Sequence, residues 1–116
     1  MTTAKNKYAI GLHIWVNEDS GHFLGKGRIQ LLENIKSTGS ITKGAGLMKM
    51  SYRQAWQMVQ DMNSRADQPL VEKILGGKGG GGAIVTDAGN KAIRLFYGLE
   101  EKLSKYATQL SEKIKL

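Results

Sequence analysis

The sequence has no cysteine, a single proline, two histidines and only eight aromatic residues apart from them: two Trp, two Phe and four Tyr. Without cysteine there are no disulfides, thiolate metal ligands or thiol nucleophile, a composition that suits a reducing compartment. Nowhere does the chain approach the roughly 20 consecutive apolar residues that a membrane-crossing helix requires. At the start, Lys5 and Lys7 precede Tyr8–Val16, but His13 interrupts that run and Asn17, Glu18 and Asp19 follow it without a small-residue cleavage pattern, so no signal peptide is expected. A cytoplasmic protein with no membrane partner is the expectation. The few aromatics limit the interior to a modest core. At 116 residues the chain fits one domain, of a size that buries roughly 60–70% of its unfolded surface and is often helped by self-association.

Groups for catalysis are equally scarce. No Ser/His/Asp arrangement or isolated carboxylate pair stands out, so neither an enzyme nor a cofactor site is expected. His13 and His22 flank a predicted turn that carries Glu18 and Asp19. Two histidines without defined ligand spacing are more often structural or solvated, and no metal is expected there.

Basic residues and glycine are what the chain has in quantity. Seventeen Lys and Arg against ten Asp and Glu give a net charge of +7, which favours polyanionic partners. Between Lys26 and Lys78 nine basic residues face four acidic ones. The run Gly76–Gly82 satisfies a G-x-G-x-x-G spacing, but it opens into the β-prone AIVT instead of a helix, and its lysine precedes glycine where a phosphate loop needs Ser or Thr. A hairpin tip accounts for it better than a nucleotide site.

Periodicity supplies the element order. Residues 8–16 read as a strand, NEDSG as a turn and HFLG as its return. Ile29, Leu32 and Ile35 mark an amphipathic helix that Gly39 ends, and Ser40 caps a shorter helix over ITKGAGLM. A third helix starts at Ser51, where Ser51-x-x-Gln54 forms a capping box. Tyr52, Ala55, Trp56, Val59, Met62 and Ala66 gather on one side of it; Arg53, Gln57, Gln60, Asp61 and Ser64 take the other, with Gln54 at the border. After Pro69, LVEKIL and AIVT read as a hairpin around the glycine run. A last helix begins at a Thr86/Asp87 cap, and Ala92, Phe96, Leu99, Leu103, Tyr106 and Leu110 form a heptad seam suited to dimerisation. The expected fold is α+β, mainly α: a winged helix-turn-helix with an N-terminal β-hairpin and a long C-terminal dimerisation helix. Residues 1–86 form the DNA-binding domain and 87–116 the dimerisation helix.

In that fold the third helix presents base-reading side chains to the major groove of double-stranded DNA. Arg53 can fork onto guanine, and Gln54 and Gln57 can pair with adenine. Thr42, Lys43, Ser51 and Tyr52 are candidates for phosphate contacts, while Lys73 and Lys78 on the wing reach the backbone or minor groove. A homodimer would meet a pseudo-palindromic site. The rival reading is a protein–protein adaptor that recruits a partner through the C-terminal helix. A small-molecule sensor is disfavoured by the short core.

The motifs GSI (39–41), MSYRQAW (50–56), MN (62–63), LVE (70–72), GGKGGGGA (76–83) and T-x-x-G (86–89) fall in order over about two thirds of the chain. As a set they resemble the N-terminal domain of ModE-type molybdenum-dependent transcriptional regulators. The resemblance implies a dimeric winged-helix DNA binder, with recognition on the helix that starts at Ser51. Full-length regulators of this family also carry C-terminal oxyanion-binding domains, which this sequence does not include. A stand-alone DNA-binding member, without direct molybdate binding, is therefore expected.

Overall fold

A computed structural model describes residues 7–75 and 82–116. The elements run β1 (Trp15–Glu18), β2 (Gly21–Gly25), α1 (Lys26–Thr38), α2 (Ile41–Leu47), α3 (Tyr52–Arg65), β3 (Val71–Ile74), β4 (Gly82–Val85) and α4 (Asp87–Ser111). β1 and β2 form one antiparallel hairpin, β3 and β4 another. The order is that of a winged helix-turn-helix, as the periodicity implies.

Each junction follows from a local rule. Gly39 adopts φ 70°, the left-handed geometry that suits glycine, and its N–H closes on the Ile35 carbonyl to end α1. Ser40 and Ser51 cap α2 and α3, their hydroxyls accepting from the N–H groups of Lys43 and Gln54. Thr86 caps α4 by accepting from the Gly89 N–H at 3.1 Å, while its own hydroxyl donates to the Pro69 carbonyl at 2.6 Å. A Cβ on Gly89 would lie 2.3 Å from the Leu70 carbonyl oxygen, so the T-x-x-G motif is a place where helix and β3 approach too closely for any side chain. Asn63 completes this junction: its amide donates to the Val71 carbonyl at 2.9 Å and accepts from the Leu70 N–H at 2.8 Å.

The core gathers Leu24, Ile29, Leu31, Leu32, Ile35, Ile41, Val59, Met62, Leu70, Val71 and Phe96, all nearly inaccessible. Four of these, Ile29, Leu31, Leu32 and Ile35, come from α1, more than from any other element, and α1 packs on α2, β4 and α4 at once. The molecule is nonetheless elongated, with a radius of gyration of 17.8 Å against about 13 Å for a compact chain of this length.

Two expectations are corrected. The first strand does not span 8–16. Ladder pairing begins at Trp15 and shifts register between Val16 and Asn17, and the preceding residues instead run beside α4, where the Ile10 N–H donates to Ser111 Oγ at 2.8 Å. Ala107 and Ser111 are buried on the projecting part of α4. Of the alternating apolar residues, Ile14 packs against the core, while Ile10 and Leu12 remain exposed. The heptad seam is also not uniform. Ala92 and Phe96 lie in the core of the domain, whereas Leu99, Leu103, Tyr106 and Leu110 are exposed on the projecting half.

Candidate nucleic-acid interface

α3 shows why one of its faces is open. Ala55, Val59 and Met62 are fully buried and fix the helix against the core, with Trp56 packed at the edge. That anchoring turns Arg53, Gln54 and Gln57 outward, all three exposed. Among the described residues, Arg53 has no acidic partner within ion-pair distance. Ser51 is exposed as well; its hydroxyl oxygen accepts the cap bond from the Gln54 N–H, which leaves its proton to donate.

Two depressions flank this helix. One, of about 400 Å³, lies between the start of α2, the start of α3 and the wing; it is lined by Ser40, Ile41, Thr42, Tyr52, Lys73 and neighbouring wing residues. The fold thus brings Thr42, Tyr52 and Lys73 together from three elements. Lys73 Nζ stands over the Trp56 ring at 4.1 Å and nears the Tyr52 ring at 5.7 Å. Lys43 is exposed on the first turn of α2. Lys78 lies outside the described residues.

The second depression, an open trough of about 670 Å³, runs along the other flank between α3 and the β1–β2 turn. Gln54, Gln57, Met58, Asp61 and Arg65 line it from α3, with Arg28, Gly21 and His22. Here the cations are occupied. Asp61 accepts from Arg28 at 2.7 Å and from Arg65 at 3.1 Å, and Arg65 also reaches Glu18 at 3.1 Å and Ser20 at 2.7 Å. Hydrogen bonding from Arg65, and then from Arg28, holds the Asp61 carboxyl below its ordinary range. Glu18 is lowered chiefly by hydrogen bonds from Ser20. Sequence reasoning missed this network because Glu18 and Arg65 are 47 positions apart; only the i,i+4 spacing of Asp61 and Arg65 hinted at it. Lys49 was also overlooked. It is exposed in the turn between α2 and α3, with φ 55°.

The two histidines do not converge on a common ligand position. The Trp15 ring stands between them, 6.5 Å from His13 and 5.6 Å from His22. Among the described residues no group of three His, Cys, Asp or Glu is placed to hold a metal, and no helix is long and apolar enough to cross a membrane.

Three helices, a serine-capped third helix with its polar side outward, and a β-hairpin packed beside it define a winged helix-turn-helix domain. Known proteins narrow the class. The molybdenum transport protein ModE of Azotobacter vinelandii is 36% identical over 99 residues, which cover 85% of this chain and 37% of that protein. The DNA-binding transcriptional dual regulator ModE of Escherichia coli K12 is 45% identical over 69 residues, 60% of this chain and 26% of its own length. The molybdenum-pterin-binding protein MopB of Rhodobacter capsulatus is 38% identical over 101 residues, 87% of this chain and 37% of its length. No protein-family profile matches the chain. This winged-helix domain is of the ModE type, matching the N-terminal regions of those regulators. The chain spans between 26% and 37% of the length of these relatives.

The quoted motifs gain a physical meaning from the geometry. Gly39, Ser40, Ser51, Asn63, Thr86 and Gly89 hold junctions, and Ile41, Ala55, Leu70 and Val71 fill the core. Within MSYRQAW, Arg53 and Gln54 are exposed without a junction to hold.

Proposed function

We propose that the chain is a transcriptional regulator that binds double-stranded DNA sequence-specifically as a homodimer, acting by binding and not by catalysis, in the cytoplasm. In this reading α3 enters the major groove and the wing rests on the backbone or minor groove. The observation that carries it is the exposed trio Arg53, Gln54 and Gln57 on a helix whose other face is fully anchored. Arg53 would fork onto guanine and the glutamines onto adenine, since each offers the donor and acceptor geometry those base edges need. Thr42, Lys43, Ser51, Tyr52, Lys73 and Lys78 would position the domain on phosphates. The names of the relatives, DNA-binding and transcriptional regulators among them, support the same reading.

Leu99, Leu103, Tyr106 and Leu110 favour self-association, being exposed apolar side chains at heptad spacing on a projecting helix. The same side chains would serve an adaptor that recruits another protein, which is the competing reading. No residue is assigned to molybdate.

Fluorescence anisotropy with a random duplex between 50 and 200 mM salt tests the proposal. Binding whose log–log salt slope is about −0.9 per phosphate neutralised supports it. Absence of binding at 50 mM salt overturns it and favours the adaptor.

A further inference from the structure

Two arginines lie along the candidate recognition helix with their charge cancelled. Arg28 comes from the first turn of α1 and Arg65 from the last turn of α3, yet both line the trough that Gln54 and Gln57 also line. A single carboxylate, Asp61, touches both, at 2.7 and 3.1 Å. All three side chains remain partly open to solvent, at 23%, 20% and 32%.

We infer that Asp61 masks a latent phosphate-binding strip, so that this one carboxylate limits how strongly the domain attaches to DNA of any sequence. The inference rests on the DNA-binding reading above and specifies what sets its sequence-independent part. Phosphate attraction scales with the number of unneutralised cations that reach the backbone. Arg65 keeps Glu18 and Ser20 as partners if Asp61 is neutral. Arg28 does not: its remaining contacts are the carbonyls of His22 and Phe23, at 3.0 and 3.2 Å, which fix the side chain without cancelling its charge. Removing the Asp61 charge therefore exposes one full cation that is already held in place at the edge of the trough. An arginine forced to search for a phosphate would lose side-chain freedom on binding; this one is pre-ordered.

The test uses the full chain, its Asp61→Asn variant, Arg28→Met, and the two combined. Each is titrated with a random duplex between 50 and 200 mM salt. The expected result is a slope steeper by about 0.9 for D61N, with several-fold tighter binding at 50 mM. Arg28→Met alone should leave the slope unchanged, and in the D61N background it should restore the wild-type slope. Far-UV circular dichroism checks that D61N is folded; the Arg28→Met arm does not depend on it. A D61N slope equal to wild type overturns the masking inference while DNA binding stands. A flatter slope for Arg28→Met alone also overturns it, because Arg28 would already be contacting phosphate. If neither wild type nor D61N binds the duplex, the DNA-binding reading itself fails.

Discussion

Lys73 Nζ stands 4.1 Å from the centroid of the Trp56 ring, so the wing strand β3 rests on α3 through a cation over an indole face. Such a contact contributes about 0.5–1 kcal/mol at a partly exposed site. Lys73 as a whole is exposed. Lys73→Met should lower stability by less than about 1 kcal/mol and flatten the salt slope of DNA binding by about 0.9. Chemical denaturation and a salt titration read the two effects separately. An unchanged slope would remove Lys73 from the phosphate contacts and leave it as a brace between wing and helix.

Arg53→Ala removes an exposed side chain with no ion-pair partner among the described residues, so the melting temperature should not move. On a selected high-affinity duplex the change should cost roughly 1–3 kcal/mol and relax base preference at one position per half-site. Equal weakening on every sequence would make Arg53 a phosphate contact.

Gly89→Ala places a methyl group 2.3 Å from the Leu70 carbonyl oxygen and 2.6 Å from Val85 Cγ1. Overpacking of this kind costs about 1–3 kcal/mol. Asn63→Ala strands the Leu70 N–H and the Val71 carbonyl at the same junction, with a similar cost of about 1–3 kcal/mol. Urea denaturation should show both losses. A neutral Gly89→Ala would mean that β3 and α4 can separate at no cost.

How much of this was legible beforehand depends on how local each cause is. Ser40, Ser51 and Thr86 announce their helices because a cap acts over three residues, and Gly39 marks an end for the same reason. The N-terminal segment could not be read this way. Alternating apolar residues look the same whether or not they pair in a ladder, and the Ser111 hydroxyl that holds the Ile10 backbone is 101 positions away. The seam on α4 posed a related problem. Phe96 and Leu103 share a heptad spacing, but only the packed domain reveals that Phe96 is 1% exposed and Leu103 44%. The outward set on α3 was legible from its helical projection. The cancellation of Arg28 and Arg65 was not, because it joins three elements brought together only by folding.

Leu103→Glu tests the projecting helix. Its side chain is exposed in the single chain, so the fold should survive while self-association is lost. Sedimentation velocity should show a dimer for the wild type and a monomer for the variant, with unchanged circular dichroism. A variant that remains dimeric would place the interface elsewhere.

Tyr97 reports on the contact between α4 and α1. Its hydroxyl donates to Glu33 Oε1 at 2.5 Å, and this bond, aided by partial burial and by the nearby negative charges of Glu33 and Glu100, pushes its pKa up to about 12. Since the folded pKa is raised, this stabilisation is fully present below the unfolded value of about 10 and is lost as pH rises through about 12. Ultraviolet titration should show a tyrosine ionisation near pH 12, and Tyr97→Phe should remove it. The acid side has the opposite sign. Glu18 and Asp61 have lowered values, so their stabilisation holds above the unfolded carboxylate pKa and fades as pH falls through the folded one. Thermal melts should therefore be flat from pH 7 to about 5 and fall below about 4, with a smaller fall in Asp61→Asn.

In vitro selection of duplexes bound by the full chain addresses the role of α3 most directly. The account predicts enrichment of a pseudo-palindrome with half-sites about one helical turn apart, or a multiple of it, and loss of that enrichment in Arg53→Ala. Recovery of sequences no different from the starting pool, or an identical motif from wild type and Arg53→Ala, would contradict it.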